Sequence, residues 1–340
     1  ATQLDDVATV LLEAQASAAD LSLPSRPYSE RMHTLALMVQ DGGKVMDALG
    51  VYLNLVGYIG FYADLPEKHE EEASSRARAS NAVYQIISQA QHTVLLQTPY
   101  LVMSRMARQT FRGIQKREQP VRVWVSTNSL ASTDAFPVYA LSHKYKRLYL
   151  KELGFRIYEF KPFPESAFMR VGQSIGWIDK QELEATDMPS LFGYAGYADP
   201  DDAEPVPLEK QGMRVGLHAK SMVVDGRLAV IGSHNFDPRS DDYNTESMLV
   251  IDDEAFAGRL SASIRQDMRQ ENAWIIAPRE SLPALADFNY TMGKLSEKLP
   301  VFDIWPWPYA TSYQLKPECP EVTYDDPRFK ACAEPVGDFP

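Results

Sequence analysis

The chain has 340 residues, 45% hydrophobic and 24% charged, so it is long enough for a sizeable core and too apolar for wholesale disorder. Its 34 basic and 46 acidic side chains leave a net charge of −12, which argues against a general binder of nucleic acid and confines any anion-binding role to a local patch. Two cysteines exclude a disulfide scaffold and a four-cysteine zinc site.

Residues 1–73 read as the end of a preceding lobe and a connector. An alanine-rich helical pattern over residues 7–21 is broken by Pro24 and Pro27, and the acidic cluster Glu67, Glu70, Glu71 and Glu72 closes the region. The most apolar run, residues 45–62 (VMDALGVYLNLVGYIGFY), is interrupted by Asp47, Asn54 and three glycines. It predicts a buried strand or helix, with an interfacial membrane segment and then a true span as the alternatives, because polar interruptions are costly at bilayer depth. No signal-peptide pattern is present, and a first residue of alanine raises the expectation of further sequence upstream.

Order improves from residue 74. The spacing predicts helices over 74–90, 105–118 and 137–153, alternating with strands over 93–96, 121–125 and 155–160. This alternation predicts an α/β fold, a mixed and mostly parallel sheet flanked by helices on both faces, in a lobe spanning 74–275. Residues 162–213, rich in Pro, Gly, Asp and Glu, read as a long loop insertion. A hairpin follows, with strands over 213–224 and 228–231 and a turn at Asp225-Gly226. A strand over 245–251 and a helix over 254–273 complete the lobe. Residues 276–340, proline- and aromatic-rich, read as a tail wrapping the surface. The tail carries Cys319 and Cys332; joined, they would place it in an oxidising compartment such as the periplasm.

Charge is unevenly placed. Residues 100–161 hold 12 Lys and Arg against 4 Asp and Glu, a net of +8 that leaves −20 for the rest. Within this stretch His143, Lys144, Lys146 and Arg147 share one predicted helix, forming either a solvated face or a patch for phosphate head groups.

The chemistry concentrates in residues 217–251, LHAKSMVVDGRLAVIGSHNFDPRSDDYNTESMLVI. His218 and Lys220 are two apart on a predicted strand, so both point to one face. The turn at Asp225-Gly226 returns the chain beside that strand and brings Ser233 and Asn235 near the same end. An imidazole, an ammonium, a hydroxyl and an amide then converge, a set suited to a tetrahedral oxyanion and to attack on phosphorus. Glu246, on the next strand, is placed to orient His218 by accepting its second ring N–H. Each residue alone is ordinary; their joint spacing is not.

H-x-K-x4-D followed by G-S-x-N resembles the signature of the phospholipase D superfamily. Thr98-Pro99-Tyr100, residues 127–134 (TNSLASTD), residues 235–240 (NFDPRS) and Asn244-Thr245-Glu246 are similar to bacterial cardiolipin synthases of the C type. The resemblance implies a phospholipase D-like lobe in which His218 is catalytic, Lys220 and Asn235 hold phosphate oxygens, Ser233 assists and Glu246 orients the histidine. Asp225 matches the motif aspartate, with a mainly structural part; apart from the resemblance, the basic charge around His143 and Lys144 makes them candidates to bind substrate. The resemblance implies no metal and no other cofactor, since lysines and paired histidines supply the charge that Mg²⁺ would provide.

The implied activity is phosphatidyl transfer through a phosphohistidine. The alternatives are phospholipase D-type hydrolysis, a nuclease phosphodiesterase, and a catalytically silent membrane-associated half-lobe. The implied partners are a phospholipid, a bacterial membrane surface on its periplasmic face, and a second phospholipase D lobe; the net charge weighs against nucleic acid. One departure matters. The family builds one site from two H-x-K motifs, yet of six histidines here His33, His69, His92, His143 and His234 all lack a lysine two places on. The second motif is expected upstream of Ala1; a partner chain across a two-fold axis, or loss of activity, are the other possibilities.

Overall fold

Among the described residues ten strands form one sheet: β1 (Tyr58–Ala63), β2 (Thr93–Gln97), β3 (Arg122–Asn128), β4 (Phe155–Phe160), β5 (Ser221–Val224), β6 (Leu228–Gly232), β7 (Ser247–Asp252), β8 (Ala273–Pro278), β9 (Ala310–Leu315) and β10 (Ala333–Gly337). Their spatial order is β1-β7-β6-β5-β2-β3-β4-β8-β9-β10. This computed structural model describes residues 42–43, 54–66, 68, 78–165, 214–279, 309–319 and 322–337. The helical pattern expected over 7–21, residues 45–53 of the apolar run, the acidic cluster and most of the insertion 162–213 lie outside the described residues.

The helices are α1 (Arg78–Gln89), α2 (Arg105–Gln115), α3 (Phe136–Lys144), α4 (Pro238–Asp242), α5 (Glu254–Asp267) and α6 (Phe329–Cys332). Ser104 caps α2 by accepting from the Ala107 N–H at 3.0 Å, and Asp253 caps α5 by accepting from the Phe256 N–H at 2.8 Å. Helices cover both faces of the sheet. On one, Val83, Ile87, Phe111 and Ile114 pack on Val94, Leu96, Val123 and Val125; on the other, Ala257, Ile264 and Met268 of the α5 region pack on Leu95, Val223, Ala229 and Ile251. This is why the central strands read as continuous apolar runs rather than alternating ones. Phe111 is fully buried, and truncating it to alanine is worth about 3–5 kcal/mol of stability.

The α/β class with a mixed sheet is as expected, but the sheet is not mostly parallel. Of its pairings, β2–β3 and β3–β4 alone are parallel, and the crossovers α2 and α3 join them. The other seven are antiparallel. A tight turn such as the one between β5 and β6 can only reverse the chain, whereas parallel neighbours need a crossover of about a dozen residues or more.

Three further differences follow from packing. The helix expected over 137–153 ends at Lys144 and resumes as a π-helical turn, Leu148–Glu152, because Lys146 and Arg147 turn inward to Glu159 (3.0 Å) and Glu152 (3.1 Å). β1 comes from the stretch read as a connector and is an edge strand rather than a core element: Tyr58, Ile59 and Phe61 are 63%, 51% and 69% exposed. The segment expected as a wrapping tail instead extends the sheet by β9 and β10. There Cys319 and Cys332 form a disulfide beside Tyr313, Leu315, Val322 and Phe329. Among the described residues no helix is long and apolar enough to cross a membrane.

Candidate active site

The candidate residues gather at the carboxyl ends of β2 and β3, where β5 begins and β6 ends, the usual place for a ligand crevice in an open α/β sheet. His218 and Lys220 do not lie within β5. They sit in the extended run that enters it, and Asn128 at the end of β3 holds that run: its side-chain amide donates to the Leu217 carbonyl (2.9 Å) and accepts from the Leu217 N–H (2.8 Å). The Lys220 ammonium lies 3.0 Å from His218 Nδ1, 3.2 Å from Nε2 and 3.0 Å from the His218 carbonyl oxygen. An ammonium only donates, so the ring nitrogen that meets it must present a lone pair.

Burial lowers the pKa of Lys220 below its usual 10.5, while the negative charges of Glu246, Asp134 and Asp237 oppose the shift. Tyr100 stands edge-on to His218, ring centroids 6.3 Å apart, and donates its hydroxyl to Asp134 at 2.8 Å. Burial first, and then that carboxylate, push its pKa up to about 12, so the phenol keeps its proton at neutral pH.

Gly232 ends β6 where a Cβ would strike the Ser247 carbonyl oxygen and Met248, so a side chain there would force β6 and β7 apart. Ser233 follows. Its hydroxyl donates to the buried Glu246 carboxylate and accepts from the Ser247 N–H at 3.0 Å. This corrects the expected partner of Glu246: among the described residues no hydrogen bond joins it to His218, because Ser233 takes its carboxylate and Lys220 faces the imidazole. Asn235 is held by its backbone, its N–H donating to Ser240 Oγ at 3.0 Å and its carbonyl accepting from Thr98 Oγ1 at 2.9 Å. Its side-chain Oδ1 is buried without a partner.

The other expected residues lie elsewhere. Asp225 stands at the far end of β5, where its carboxylate accepts from the N–H groups of Gln91, His92 and Thr93, each at 2.8 Å. Burial alone would raise its pKa, but these donors outweigh it and hold the carboxyl below its usual 3.8. Lys144, Lys146 and Arg147 are buried, so the expected basic patch is not an exposed face; the ring of His143 lies 6.3 Å from that of Tyr139. Lys146 and Arg147, which follow α3, pair with Glu159 and Glu152.

Comparison with known proteins bears on this arrangement. The family model of the cardiolipin synthase, phospholipase D-like domain matches residues 197–268, which hold His218, Lys220, Ser233, Asn235 and Glu246. That segment of the chain is similar to the phospholipase D-like domain of cardiolipin synthases. It is 27% identical to cardiolipin synthase C of Escherichia coli over 213 residues, 62% of this chain and 37% of that protein. It is 43% identical to the minor cardiolipin synthase ClsB of Bacillus subtilis over 53 residues, 16% of this chain and 13% of that one. The chain thus spans about a third or less of the curated relatives it matches. Among solved structures, NucT from Helicobacter pylori covers 64% of this chain and 97% of its own, with 12% identity and a TM-score of 0.39.

The sequence motif alone points to His218, Lys220, Asp225, Ser233, Asn235 and Glu246. It gave no part to Asn128, which braces the H-x-K run, nor to Asp64, whose carboxylate meets the backbone of Glu246. The signal for Asn128 was present, since the apolar strand β3 ends in the polar run Ser126-Thr127-Asn128. Nothing in the sequence pointed to Asp64, which lies 182 residues away from Glu246 along the chain.

Proposed function

We propose that this chain is one half of a phosphatidyl-transferring phosphodiesterase of the cardiolipin synthase type. The observation that carries the reading is the contact between His218 and Lys220 at the sheet's carboxyl edge, with the buried Oδ1 of Asn235 left without a partner. The two ends of an amide are interchangeable in shape, so Asn235 can turn N–H donors toward a phosphate oxygen that Lys220 neutralises. Asp225, bound to three backbone N–H groups, serves the fold rather than the reaction. Ser233 carries the influence of Glu246 to the site.

In the first step one catalytic histidine attacks phosphorus. A P–N bond forms, the P–O bond to the departing alkoxide breaks, and a second histidine gives that alkoxide its proton. In the second step an acceptor hydroxyl attacks, passes its proton to the second histidine and breaks the P–N bond. His218 is one of the pair, and the other comes from a second H-x-K motif outside residues 1–340 or from a partner copy. Lys220 and its counterpart there supply the positive charge at phosphorus.

A shallow cleft lined by Tyr100, Asn128, Thr133, Tyr139 and Ser142 opens to solvent beside the motif residues. The net charge supports lipid over nucleic acid as substrate. The Cys319–Cys332 disulfide supports work on the periplasmic face of a bacterial membrane.

The test is product analysis by mass spectrometry with phosphatidylglycerol, using this chain alone and together with its second motif. The assembly is expected to give a diacylated transfer product that EDTA does not diminish, and the monomeric chain none. His218→Ala in the assembly is expected to fall below about a hundredth of the unsubstituted rate, as loss of an acid, base or nucleophile requires. Hydrolysis without transfer makes it a phospholipase; no turnover in any assembly leaves a silent half-lobe; a fully active monomer places the second catalyst within these residues.

A further inference from the structure

His234 lies between Ser233 and Asn235 and is 3% exposed. The reaction proposed above does not use it, yet its hydrogen bonds are specific. Nδ1 accepts from the Phe236 N–H at 2.9 Å and therefore carries a lone pair. The ring hydrogen then belongs on Nε2, which faces Asp241 Oδ1 at 3.0 Å and Ser80 Oγ at 3.1 Å. Asp241 is held in turn by the hydroxyl of Tyr84, at 2.8 and 2.9 Å from its two oxygens.

The residue that Nδ1 holds is strained. Phe236 has φ of 64°, and among the described residues Asp225 is the other non-glycine with positive φ. Asparagine and aspartate tolerate this region; phenylalanine gains nothing from it and needs an external hold. The side chain of Phe236 is buried, which anchors one end of the turn. The backbone of Asn235 is fixed by Ser240 and Thr98. The bond from the Phe236 N–H to His234 holds the other side of the peptide group whose carbonyl Thr98 holds, and the two together set the direction in which the chain leaves Asn235.

We infer that His234 is a positioning residue: its Nδ1 holds Phe236 left-handed, and this turn presents the side-chain amide of Asn235 to the phosphate, while Asp241 and Tyr84 fix the imidazole's tautomer. The inference rests on the reading of Asn235 as a phosphate ligand.

Two substitutions separate the two nitrogens. Asparagine places its Oδ1 near the position of histidine Nδ1, so His234→Asn keeps an acceptor for Phe236 and loses the link to Asp241. Glutamine reaches the position of Nε2, so His234→Gln keeps that link and loses the acceptor. The readout is tungstate affinity of the full chain by calorimetry, with near-ultraviolet circular dichroism confirming the fold. His234→Asn is expected within about threefold of the unsubstituted chain, and His234→Gln weaker by at least about tenfold, the effect of one misdirected hydrogen bond to an anion. Equal losses in the two variants, or a smaller loss in His234→Gln, overturn the inference and leave His234 a core residue.

A measurement on the unsubstituted chain covers the case in which a variant does not fold. Imidazole ¹⁵N spectra are expected to show the Nε2–H tautomer for His234 at neutral pH; a proton on Nδ1 would sink the proposal outright. If Asn235→Ala leaves tungstate affinity unchanged, the phosphate-ligand reading fails. If Asn235→Ala weakens binding and His234→Gln does not, the positioning fails alone.

Discussion

Asp64 grips the backbone of Glu246 from both sides, its N–H donating to the Glu246 carbonyl at 2.8 Å and its Oδ2 accepting from the Glu246 N–H at 3.2 Å. The same carboxylate accepts from the Ala79 N–H at 2.8 Å and from Lys68 Nζ at 2.6 Å. Lys68 in turn binds the carbonyls of Ser240 and Asn244. A segment that precedes the matched family domain by more than a hundred residues thereby braces the loop that carries Ser233, Asn235 and Glu246.

Asp64→Ala is expected to cost about 3–5 kcal/mol in denaturant unfolding, because it strands the Lys68 ammonium in the interior; the two side chains are 0% and 2% exposed. Lys68→Met in the same background should recover part of that loss by removing the stranded charge. A loss under about 1 kcal/mol would mean that water reaches Lys68 and that the brace is weak.

Lys220 makes phosphate binding sensitive to alkali. Its pKa is lower in the folded chain than the usual 10.5, so the burial penalty on its ammonium is present below the folded value and is relieved as pH rises through it. Anion affinity runs the other way, since the neutral amine no longer attracts phosphate. Tungstate affinity is expected to decline with an apparent pKa below 10.5, and Lys220→Arg, which stays charged, should flatten that limb. An alkaline limb that survives in Lys220→Arg would assign the titration to another group.

Asp225 makes stability sensitive to acid. Its folded pKa lies below 3.8, so its contribution is present above that value and is lost as pH falls through the folded pKa. Asp225→Asn keeps a residue that tolerates the observed φ of 52° and removes the charge. It should cost about 1–2 kcal/mol at pH 7 and reduce the dependence of melting temperature on pH between about 2 and 5. Tungstate affinity should stay unchanged, because Asp225 faces the loop between α1 and β2 and not the site.

The Cys319–Cys332 bond closes a loop with a sequence separation of 13, for which loop-closure entropy predicts about 3 kcal/mol. Thermal unfolding with and without a reductant should show a lower melting temperature in the reduced chain. The same reductant should leave tungstate affinity alone, since β9 and β10 stand at the opposite edge of the sheet from β7. Loss of binding on reduction would show that the two ends of the sheet are coupled.

The local sequence determined much of this protein. Alternation of apolar runs and turn residues located α1, α2, β2, β3 and β4 to within a few residues, and Asp225-Gly226 marked the hairpin, because backbone sterics and side-chain period act over a few neighbours. The spacing of His218, Lys220, Ser233 and Asn235 likewise indicated that they flank one end of the β5–β6 hairpin, since a tight turn leaves two adjoining strands few ways to pair.

Tertiary structure decided the rest. The sense of most strand pairs, the inclusion of β1, β9 and β10 in the sheet, and the inward turn of Lys146 and Arg147 depend on partners distant in sequence. Glu246 shows the limit most clearly. Its place beside the motif was legible, although it precedes β7 rather than lying on the strand expected over 245–251; its partner was not, because a buried carboxylate takes whichever donors the fold brings within reach. Here those are Ser233 at its side chain and Asp64 at its backbone, while His218 turns to Lys220.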